Sequence, residues 1–518
     1  MPTHSEVIAR TLAARGVEYV FGLPGGEIVA FIDACRREGI QFLLTGHEAS
    51  AAWMAQVTGE ITGVAGVCAA TLGPGATNLL TGVASAFLDR APMLAITAQI
   101  PRSAIATMTH QRLAFDKLFA PITKASIEVG EGDTALAIGF AMDLATAPRP
   151  GPVHVLLASD VAIEQTEASS IGPNHAGRET VDLKQIVRRI DAAKKPLVLI
   201  GLGARPDDAR AIRGLLDRLQ APFLVTPKAK GIVSEDDPRF LGVASGMAID
   251  HEILKTLSLA DLVVGIGFDP VECDKTWFAR TEIAAIDNAS MTGGDYHPME
   301  AIGDISSLME RLHVEPKPWP EEWIAQRRAA MRREPESESS PLRLIEELRS
   351  MVPRETIVTC DVGSHKLVMG QFWRAFEPGT FFMSNGLSGM GFGLPAAIAA
   401  QLARPETPVL SVAGDGGMLM MVHDLALIRE RDLPIIIVVC RDGSLSLIRV
   451  SEHRRGIAPY GVDFAPPDFA AIARAFGIGA RRVRSIEEMK PYIERALSQR
   501  IPFLIDAPVD YSEYYDLV

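Results

Sequence analysis

The sequence lacks the features that mark several classes of protein. No stripe of lysine and arginine alternates with aromatic residues, and the net charge of −13 is spread along the chain, which argues against a nucleic-acid surface. The five cysteines form no CxxC pair, so neither zinc binding nor disulfide cycling is indicated. No apolar run approaches the ~20 residues of a membrane span, and the first residues do not resemble a secretion signal. We therefore expect a cytoplasmic protein that binds neither nucleic acid nor membrane.

The chain is long enough for several domains. With 518 residues it suits about three. Two stretches combine polar residues, proline and glycine without an apolar period, and are interpreted as linkers: roughly residues 164–180 and 316–341. The outer blocks alternate short apolar runs with amphipathic segments, which predicts parallel sheets covered by helices on both faces; the middle block also looks α/β. We predict an α/β protein with three doubly wound parallel-sheet domains, at residues 1–165, 181–315 and 342–518.

A glycine-rich turn in the third block carries two acidic residues at matching places. Asp415 lies in GDGG at the end of an apolar strand, and Asp442 ends the next predicted strand. Carboxyl ends of neighbouring parallel strands meet at one sheet edge, so these carboxylates should lie together and suit Mg²⁺. The N–H groups of Gly416, Gly417 and Met418, at a helix N-terminus, suit a diphosphate. Taken alone, GDG is as well explained by a tight turn with a helix-capping Asp.

The spacing of these residues resembles the motif of the thiamine-diphosphate enzyme superfamily, in which GDG is followed by an Asn pair. The resemblance implies that the turn from Gly414 holds the cofactor's diphosphate. It also implies that Asp415, Asp442 and the main-chain carbonyl of Ser444 bind the metal, and that the domains have the thiamine-diphosphate-binding fold. Arg441-Asp442 replaces the family's Asn-Asn pair here, so a carboxylate stands in place of an amide ligand.

Extra negative charge at this edge should require nearby cations. His365, Lys366 and Arg441 are the candidates in the sequence. The segment DVGSH, residues 361–365, also resembles a loop that contacts the diphosphate in this family. That resemblance assigns Ser364 and His365 to cofactor binding.

A second match lies in the first block, where QFLLTG precedes a helical segment that begins with Glu48. An ordinary explanation is a glutamate in a helix's first turn, stabilised by the helix dipole. By the family resemblance, the Glu of the HEAxAAxMA pattern hydrogen-bonds N1′ of the cofactor's aminopyrimidine and promotes its activation. That chemistry requires a carboxyl group in a mostly apolar pocket, where it can share a proton with the ring.

A third match is GLSGMGFGLPAA, residues 386–397, which resembles the acetohydroxyacid synthase segment that holds the cofactor bent. The resemblance implies that the carbonyl of Ser388 accepts from the cofactor's 4′-amino group and that Met390 lies between its two rings. Met390 could instead be an ordinary core residue, as methionines usually are. The surrounding glycines favour the first interpretation, because they permit close approach of the backbone to a ligand.

The subfamily is indicated by residues 71–99, 122–126, 467–477 and 504–513, which look like acetolactate synthases and their near relatives. The resemblance implies a thiamine-diphosphate- and Mg²⁺-dependent carboligase, active as a homodimer or homotetramer with its active site between subunits. Such an enzyme decarboxylates a 2-oxo acid and transfers the resulting acyl carbanion to an acceptor. The alternative is a simple 2-oxo acid decarboxylase, of the benzoylformate, pyruvate or sulfopyruvate type, which releases an aldehyde.

One departure falls on the expected substrate face. The synthases carry a Phe-Gln pair where this chain has His110-Gln111. Gln111 is therefore assigned to the catalytic face, and His110 could relay protons there. An ordinary surface histidine explains His110 equally well.

Two other functions and a further cofactor are less well supported. A nicotinamide dehydrogenase would rest on residues 196–208, which lack the third glycine of the dinucleotide fingerprint and an acidic residue after the next strand. A non-catalytic binding protein would not need Glu48. The central block of synthases often holds FAD, but GFDPVE, residues 267–272, departs from the family's arginine and aspartate pattern. FAD therefore stays open and is not predicted.

Overall fold

The computed structural model describes residues 1–167 and 183–518. Most of the predicted linker at 164–180, and the first two residues of the predicted central domain, lie outside the described residues. The chain divides into two compact units. The first comprises the described residues up to 167 together with 386–406 and 421–433, and the second comprises 183–385, 407–420 and 434–518. The domain boundaries given above stay predictions.

The first sheet has six parallel strands in the order β2-β1-β3-β4-β6-β5. Every residue of β3, β4 and β6 is buried, as expected for strands covered on both faces. The strands are β1 Tyr19–Leu23, β2 Gln41–Leu44, β3 Gly66–Ala70, β4 Met93–Gln99, β5 Ser126–Glu128 and β6 Pro152–Ala158. The helices are α1 His4–Ala14, α2 Val29–Arg37, α3 Glu48–Thr62, α4 Pro74–Leu88, α5 Phe115–Phe119, α6 Thr134–Thr146 and α7 Ser159–Ile163.

The second sheet, in the second unit, is also six-stranded and parallel, in the order β12-β11-β10-β7-β8-β9. Alternate residues of β7 belong to different hydrophobic clusters, so both of its faces are covered. The strands are β7 Pro196–Ile200, β8 Phe223–Val225, β9 Phe240–Val243, β10 Leu262–Ile266, β11 Ile283–Asp287 and β12 Met299–Ile302. The helices are α8 Leu183–Ala192, α9 Ala209–Leu219, α10 Asp250–Leu259, α11 Ile305–Arg311 and α12 Glu321–Met331.

The third sheet repeats this arrangement in the order β14-β13-β15-β16-β18-β17, again with all strands parallel. The strands are β13 Ile357–Cys360, β14 Phe381–Met383, β15 Val409–Gly414, β16 Ile435–Arg441, β17 Gly479–Arg482 and β18 Phe503–Pro508. The helices in this part of the chain are α13 Pro341–Met351, α14 Ser364–Phe372, α15 Gly393–Ala403, α16 Asp415–Met421, α17 Leu425–Glu430, α18 Ser446–Arg454, α19 Phe469–Ala475, α20 Lys490–Gln499 and α21 Tyr514–Leu517. Of these, α15 and α17 belong to the first unit. Three parallel six-stranded sheets confirm the predicted α/β class.

The stretch at 316–341, interpreted as a linker, contains a helix. Trp319 is buried and its indole N–H donates to the carbonyl of Pro196 at 2.9 Å. Helix α12 follows, and its Trp323 and Met331 pack against the same hydrophobic cluster. The interpretation was wrong because prolines and charges outnumber these few apolar anchors in the sequence.

Within the described ranges, no helix is both long enough and apolar enough to cross a membrane.

Candidate active site

The register of the third sheet brings the two predicted metal-binding carboxylates to one edge. Gly414 of β15 pairs with Cys440 of β16, so the residues that follow these strands lie side by side. The Asp415 carboxylate is buried and accepts three backbone hydrogen bonds. The donors are the N–H groups of Gly416 at 2.8 Å, Asp442 at 3.2 Å and Gly443 at 2.8 Å. The Asp415 carboxylate thus links the ends of both strands through hydrogen bonds to their backbone.

The Asp442 carboxylate is held just as firmly. It accepts from the N–H of Ser444 at 3.0 Å and from the hydroxyl of Ser446 at 2.6 Å. Burial raises the pKa of Asp442 to about 6, and the charge of Asp415 adds to this effect. Burial also raises the pKa of Asp415, although its backbone hydrogen bonds oppose the shift. A cation between the two carboxylates would relieve this repulsion.

The donor set fits a hard cation whose shell is completed by a ligand. Among residues 1–167 and 183–518, no three His, Cys, Asp or Glu side chains form a metal-binding group by themselves. Asp415 and Asp442, with the carbonyl of Ser444, would supply three oxygens, and Mg²⁺ commonly takes only one or two carboxylates from a protein and the rest from phosphates and water. The residues present are therefore compatible with Mg²⁺ bound together with a diphosphate.

The expected cations do not all face this edge. The Nε of Arg441 donates to Asp506 at 2.7 Å, so this guanidinium is committed to a different carboxylate. Burial lowers the pKa of His365 to about 4, which makes its imidazole neutral near pH 7. Lys366 is buried next to it and also lowers the pKa of His365. Of the three candidate cations, Arg441 is thus paired with Asp506 and His365 is neutral near pH 7.

The start of α14 offers polar groups to a ligand. Ser364 and His365 are buried, and among the described residues neither the Ser364 hydroxyl nor the His365 Nε2 has a hydrogen-bond partner. Buried polar groups usually have partners, so these two point to a missing ligand. The His365 ring lies beside Gly414, where an added Cβ would be 3.1 Å from its Cε1.

The turn around Gly417 has no room for a side chain. A Cβ on Gly417 would lie 1.8 Å from Oδ2 of Asp361. Met418, the next residue, is fully buried. The predicted diphosphate turn from Gly414 to Met418 therefore presents backbone rather than side chains at the start of α16.

Glu48 lies in the first unit at the start of α3. Only 4% of it is exposed. Its Oε2 accepts from the amide of Asn78 at 2.9 Å, and a Cβ on Gly75 would lie 3.5 Å from its Oε1. The carboxyl group is thus enclosed and oriented by residues of α4.

The predicted pair His110-Gln111 lies in the same unit as Glu48. Gln111 has a left-handed backbone, with φ of 55°, and its side chain packs on Gly73, where an added Cβ would be 3.0 Å from Gln111 Cβ. Gly73 is two residues from Gly75, which borders Glu48. His110 is exposed.

The loop that carries Ser388 and Met390 is also in the first unit. The N–H of Gly386 donates to Asp89 at 2.7 Å, which fixes the start of the loop. A Cβ on Gly389 would be 3.5 Å from the Trp53 ring. Ser388 is exposed with φ of 56°, and Met390 is half-buried rather than enclosed in a core.

Several neighbours of Glu48 were missed in the sequence. Asn78 is one, because nothing in TNLL marks it as a partner of a glutamate 30 residues earlier. Another group joins α3 to the segment around 423. The Ser50 hydroxyl donates to buried Asp424 at 2.8 Å and lies 3.2 Å from Nε2 of His423. Burial raises the pKa of Asp424 to about 7. Local patterns do not predict contacts between residues so far apart in the chain.

Three family models match the chain in order. The N-terminal TPP binding domain of thiamine pyrophosphate enzymes matches residues 2–118, the central domain matches 183–312, and the C-terminal TPP binding domain matches 361–507. The chain belongs to the thiamine pyrophosphate enzyme family. Thiamine pyrophosphate is thiamine diphosphate, so the resemblance inferred from the sequence is confirmed and the protein is a thiamine-diphosphate-dependent enzyme.

This thiamine pyrophosphate enzyme is similar to acetolactate synthases along almost its whole length. It is 32% identical to the acetolactate synthase of Bacillus subtilis (strain 168), over 99% of this chain and 94% of that protein. It is 31% identical to the catabolic acetolactate synthase of Raoultella terrigena and to the acetolactate synthase isozyme 2 large subunit of Escherichia coli (strain K12), in each case over 98% of this chain and 95% of the relative.

The central sheet of this thiamine pyrophosphate enzyme does not offer a free diphosphate turn for FAD. At the carboxyl ends of β7 and β8, the N–H groups of Leu202 and Lys228 donate to Glu272, at 3.0 Å and 3.3 Å. Burial raises the pKa of Glu272 to about 7. Because a dinucleotide would need such N–H groups for its phosphates, the residues present do not fit FAD at this turn.

Proposed function

We propose that the enzyme decarboxylates a small 2-oxo acid and joins the resulting acyl group to a second oxo compound, as an acetolactate synthase does. Similarity to acetolactate synthases over 99% of the chain carries this proposal. When bound, thiamine diphosphate supplies the electron sink that this decarboxylation requires. Mg²⁺, a cytoplasmic location and an active site shared between subunits of a homo-oligomer are further parts of the proposal.

In this proposal, one group of residues binds the cofactor's aminopyrimidine ring and another binds the metal ion and the diphosphate. Glu48 would hold a proton at the cofactor's aminopyrimidine ring, and Asn78 would keep the carboxyl group oriented, since it donates to Oε2 at 2.9 Å. Asp415 and Asp442 would hold Mg²⁺ with the carbonyl of Ser444. Ser364, with its unpartnered hydroxyl, would donate to the diphosphate. The same proposal assigns His365 and the Gly414–Met418 turn to the diphosphate, and Ser388 and Met390 to the pyrimidine and the space between the rings.

A product analysis tests the proposed reaction. The holoenzyme, supplied with thiamine diphosphate and Mg²⁺, is offered single 2-oxo acids and pairs of them, and products are identified by NMR. We expect pyruvate to give acetolactate as the main product, with little acetaldehyde. If aldehyde accounted for nearly all of the CO2 released by every 2-oxo acid, the enzyme would be a simple decarboxylase and the proposed ligation would be wrong.

Replacing His110 tests whether it relays protons. In His110→Phe we expect aldehyde release to fall by about tenfold, while decarboxylation measured with an artificial electron acceptor changes little, because general acids typically contribute rate factors of that order or more. The product ratio should therefore move toward ligation. His297→Phe is the matched control, since His297 is also exposed but lies in the second unit. An unchanged product ratio in His110→Phe would place His110 outside the chemistry.

A further inference from the structure

A cleft lies in the second unit, and its lining contains none of the residues assigned to thiamine diphosphate. It encloses about 760 Å3 and borders β9, the edge strand of the second sheet. Its other walls come from the end of α12 and from helices α13 and α14. Small-molecule sites commonly have volumes in this range.

The lining of the cleft is strongly basic. It contains six arginines and three glutamates, and one of these, Glu235, is already bonded to Lys230 and to the N–H of Ala375. The arginines are Arg328, Arg332, Arg333, Arg349, Arg354 and Arg374. Guanidinium groups stay charged in proteins. Asp236 already pairs with two of them, Arg354 at 2.9 Å and Arg374 at 3.2 Å, so an anion would be attracted chiefly by the other four. In a chain of net charge −13, this cluster is not a consequence of composition.

Aromatic rings help to fix two of these arginines. The guanidinium of Arg354 lies 3.7 Å from the centroid of Phe376, and that of Arg349 lies 5.1 Å from the same ring and 4.8 Å from Trp373. Burial lowers the pKa of Arg349, and the charge of Arg354 adds to the effect. Stacked guanidinium groups are pre-organised for planar hydrogen bonds to an oxyanion. Arg349 also donates from one nitrogen to the carbonyls of Val352 and Pro353, which fixes its position on the cleft wall.

A buried amide on the cleft wall gives a second indication of a ligand. Gln371 is only 7% exposed, and its Oε1 has no hydrogen-bond partner in the described part of the chain. Its amide lies against Gly242 of β9, where an added Cβ would be 3.0 Å from Nε2. Leaving a buried acceptor unpaired costs free energy, which an N–H or O–H group of a bound ligand would recover.

We propose that this cleft binds a small molecule carrying a diphosphate or triphosphate group. The arginines not paired with Asp236 would bind the phosphate oxygens, and an N–H or O–H group of the organic part would donate to Oε1 of Gln371. Phe240 and Phe372 also line the cleft and would contact the organic part of such a molecule. The site is independent of the proposed carboligase reaction.

Binding is measured on the holoenzyme saturated with thiamine diphosphate and Mg²⁺, so that the cofactor's own phosphate site is filled. Isothermal titration uses ATP, inorganic tripolyphosphate and citrate. We expect saturable binding of ATP or tripolyphosphate at one site per chain, weaker at high salt, and much weaker binding of citrate. Similar affinities for ATP and tripolyphosphate would identify the phosphate chain as the recognised group. Tighter binding of ATP would show that the nucleoside is recognised as well.

The variant Arg332→Gln/Arg333→Gln should weaken this binding by about tenfold or more, because each bidentate charge-assisted contact is strong. Arg210→Gln/Arg213→Gln removes the same charge from exposed positions on α9 and should leave binding unchanged. Gln371→Met should weaken ATP binding without lowering the unfolding temperature of the ligand-free enzyme. Turnover should stay at the wild-type rate in all three.

Three results would overturn the proposal. One is the absence of saturable binding of both phosphate compounds to the holoenzyme. The second is equal binding by wild type and by Arg332→Gln/Arg333→Gln. The third is citrate binding as tight as that of tripolyphosphate, which would show general attraction of anions rather than a phosphate site.

Discussion

Replacing Glu48 by glutamine should lower turnover by about 100-fold or more while the affinity for thiamine diphosphate stays within about tenfold of wild type. The carboxyl group is almost fully buried and held by Asn78 at 2.9 Å, so the variant keeps both the shape and a hydrogen-bonding side chain. What glutamine cannot do is accept and return a proton. The loss should therefore appear in kcat, measured at saturating cofactor and substrate, rather than in cofactor binding measured by titration.

Glu60→Gln provides a matched control on the same helix. Glu60 accepts from the amide of Gln56 at 3.0 Å, so it too is a hydrogen-bonded carboxylate of α3, and it has no place in the proposed chemistry. Its turnover should stay within about twofold of wild type, since surface substitutions rarely have large effects. Comparable turnover in Glu48→Gln and Glu60→Gln would remove Glu48 from the mechanism.

The fold could be predicted from the sequence because several strands of the outer sheets are short apolar runs followed by a turn that contains glycine. In the third sheet PVLSVAG and PIIIVVC are such runs, and the structure has them as neighbours with Gly414 opposite Cys440. Asp415 and Asp442 are brought together by the same rule, since the carboxyl ends of adjacent parallel strands share an edge. Backbone topology was therefore sufficient to predict that these two carboxylates meet at one edge of the sheet.

Side-chain direction and long-range partners could not be predicted in this way. Arg441 precedes Asp442, yet its guanidinium is paired with Asp506 of β18, a strand more than 60 residues away. The partner of Glu48 is Asn78, on another helix, and Ser50 is joined to Asp424 across 374 residues. Such contacts depend on how helices and strands that are distant in the chain pack together. Packing of this kind leaves no periodic pattern in the local sequence.

The metal edge gives the second large effect. Asp415→Ala should weaken Mg²⁺-dependent binding of thiamine diphosphate by about 100-fold, because a hard ligand and its charge disappear from a site with few others. The same substitution removes the acceptor of three backbone hydrogen bonds, from Gly416, Asp442 and Gly443. Asp415→Asn keeps an oxygen acceptor at this position, so comparison of the two separates loss of turn geometry from loss of charge. Binding is measured by titrating cofactor at several fixed Mg²⁺ concentrations.

Asp442→Asn should have a much smaller effect than Asp415→Ala, since its amide oxygen can still bind the metal and accept from the N–H of Ser444. The new NH2 group can donate to the hydroxyl of Ser446, which in the wild type donates to Asp442. It also removes one of two buried like charges, whose repulsion contributes to the raised pKa of Asp442. The apo form of Asp442→Asn should therefore unfold at the wild-type temperature or slightly above it at pH 7, where the wild-type carboxyl group, with its pKa of about 6, is mostly ionised. If Asp442→Asn damaged Mg²⁺-dependent cofactor binding as much as Asp415→Ala, the carboxylate charge of Asp442 would be essential to the site, and the proposed equivalence of Asp and Asn at this ligand position would be wrong.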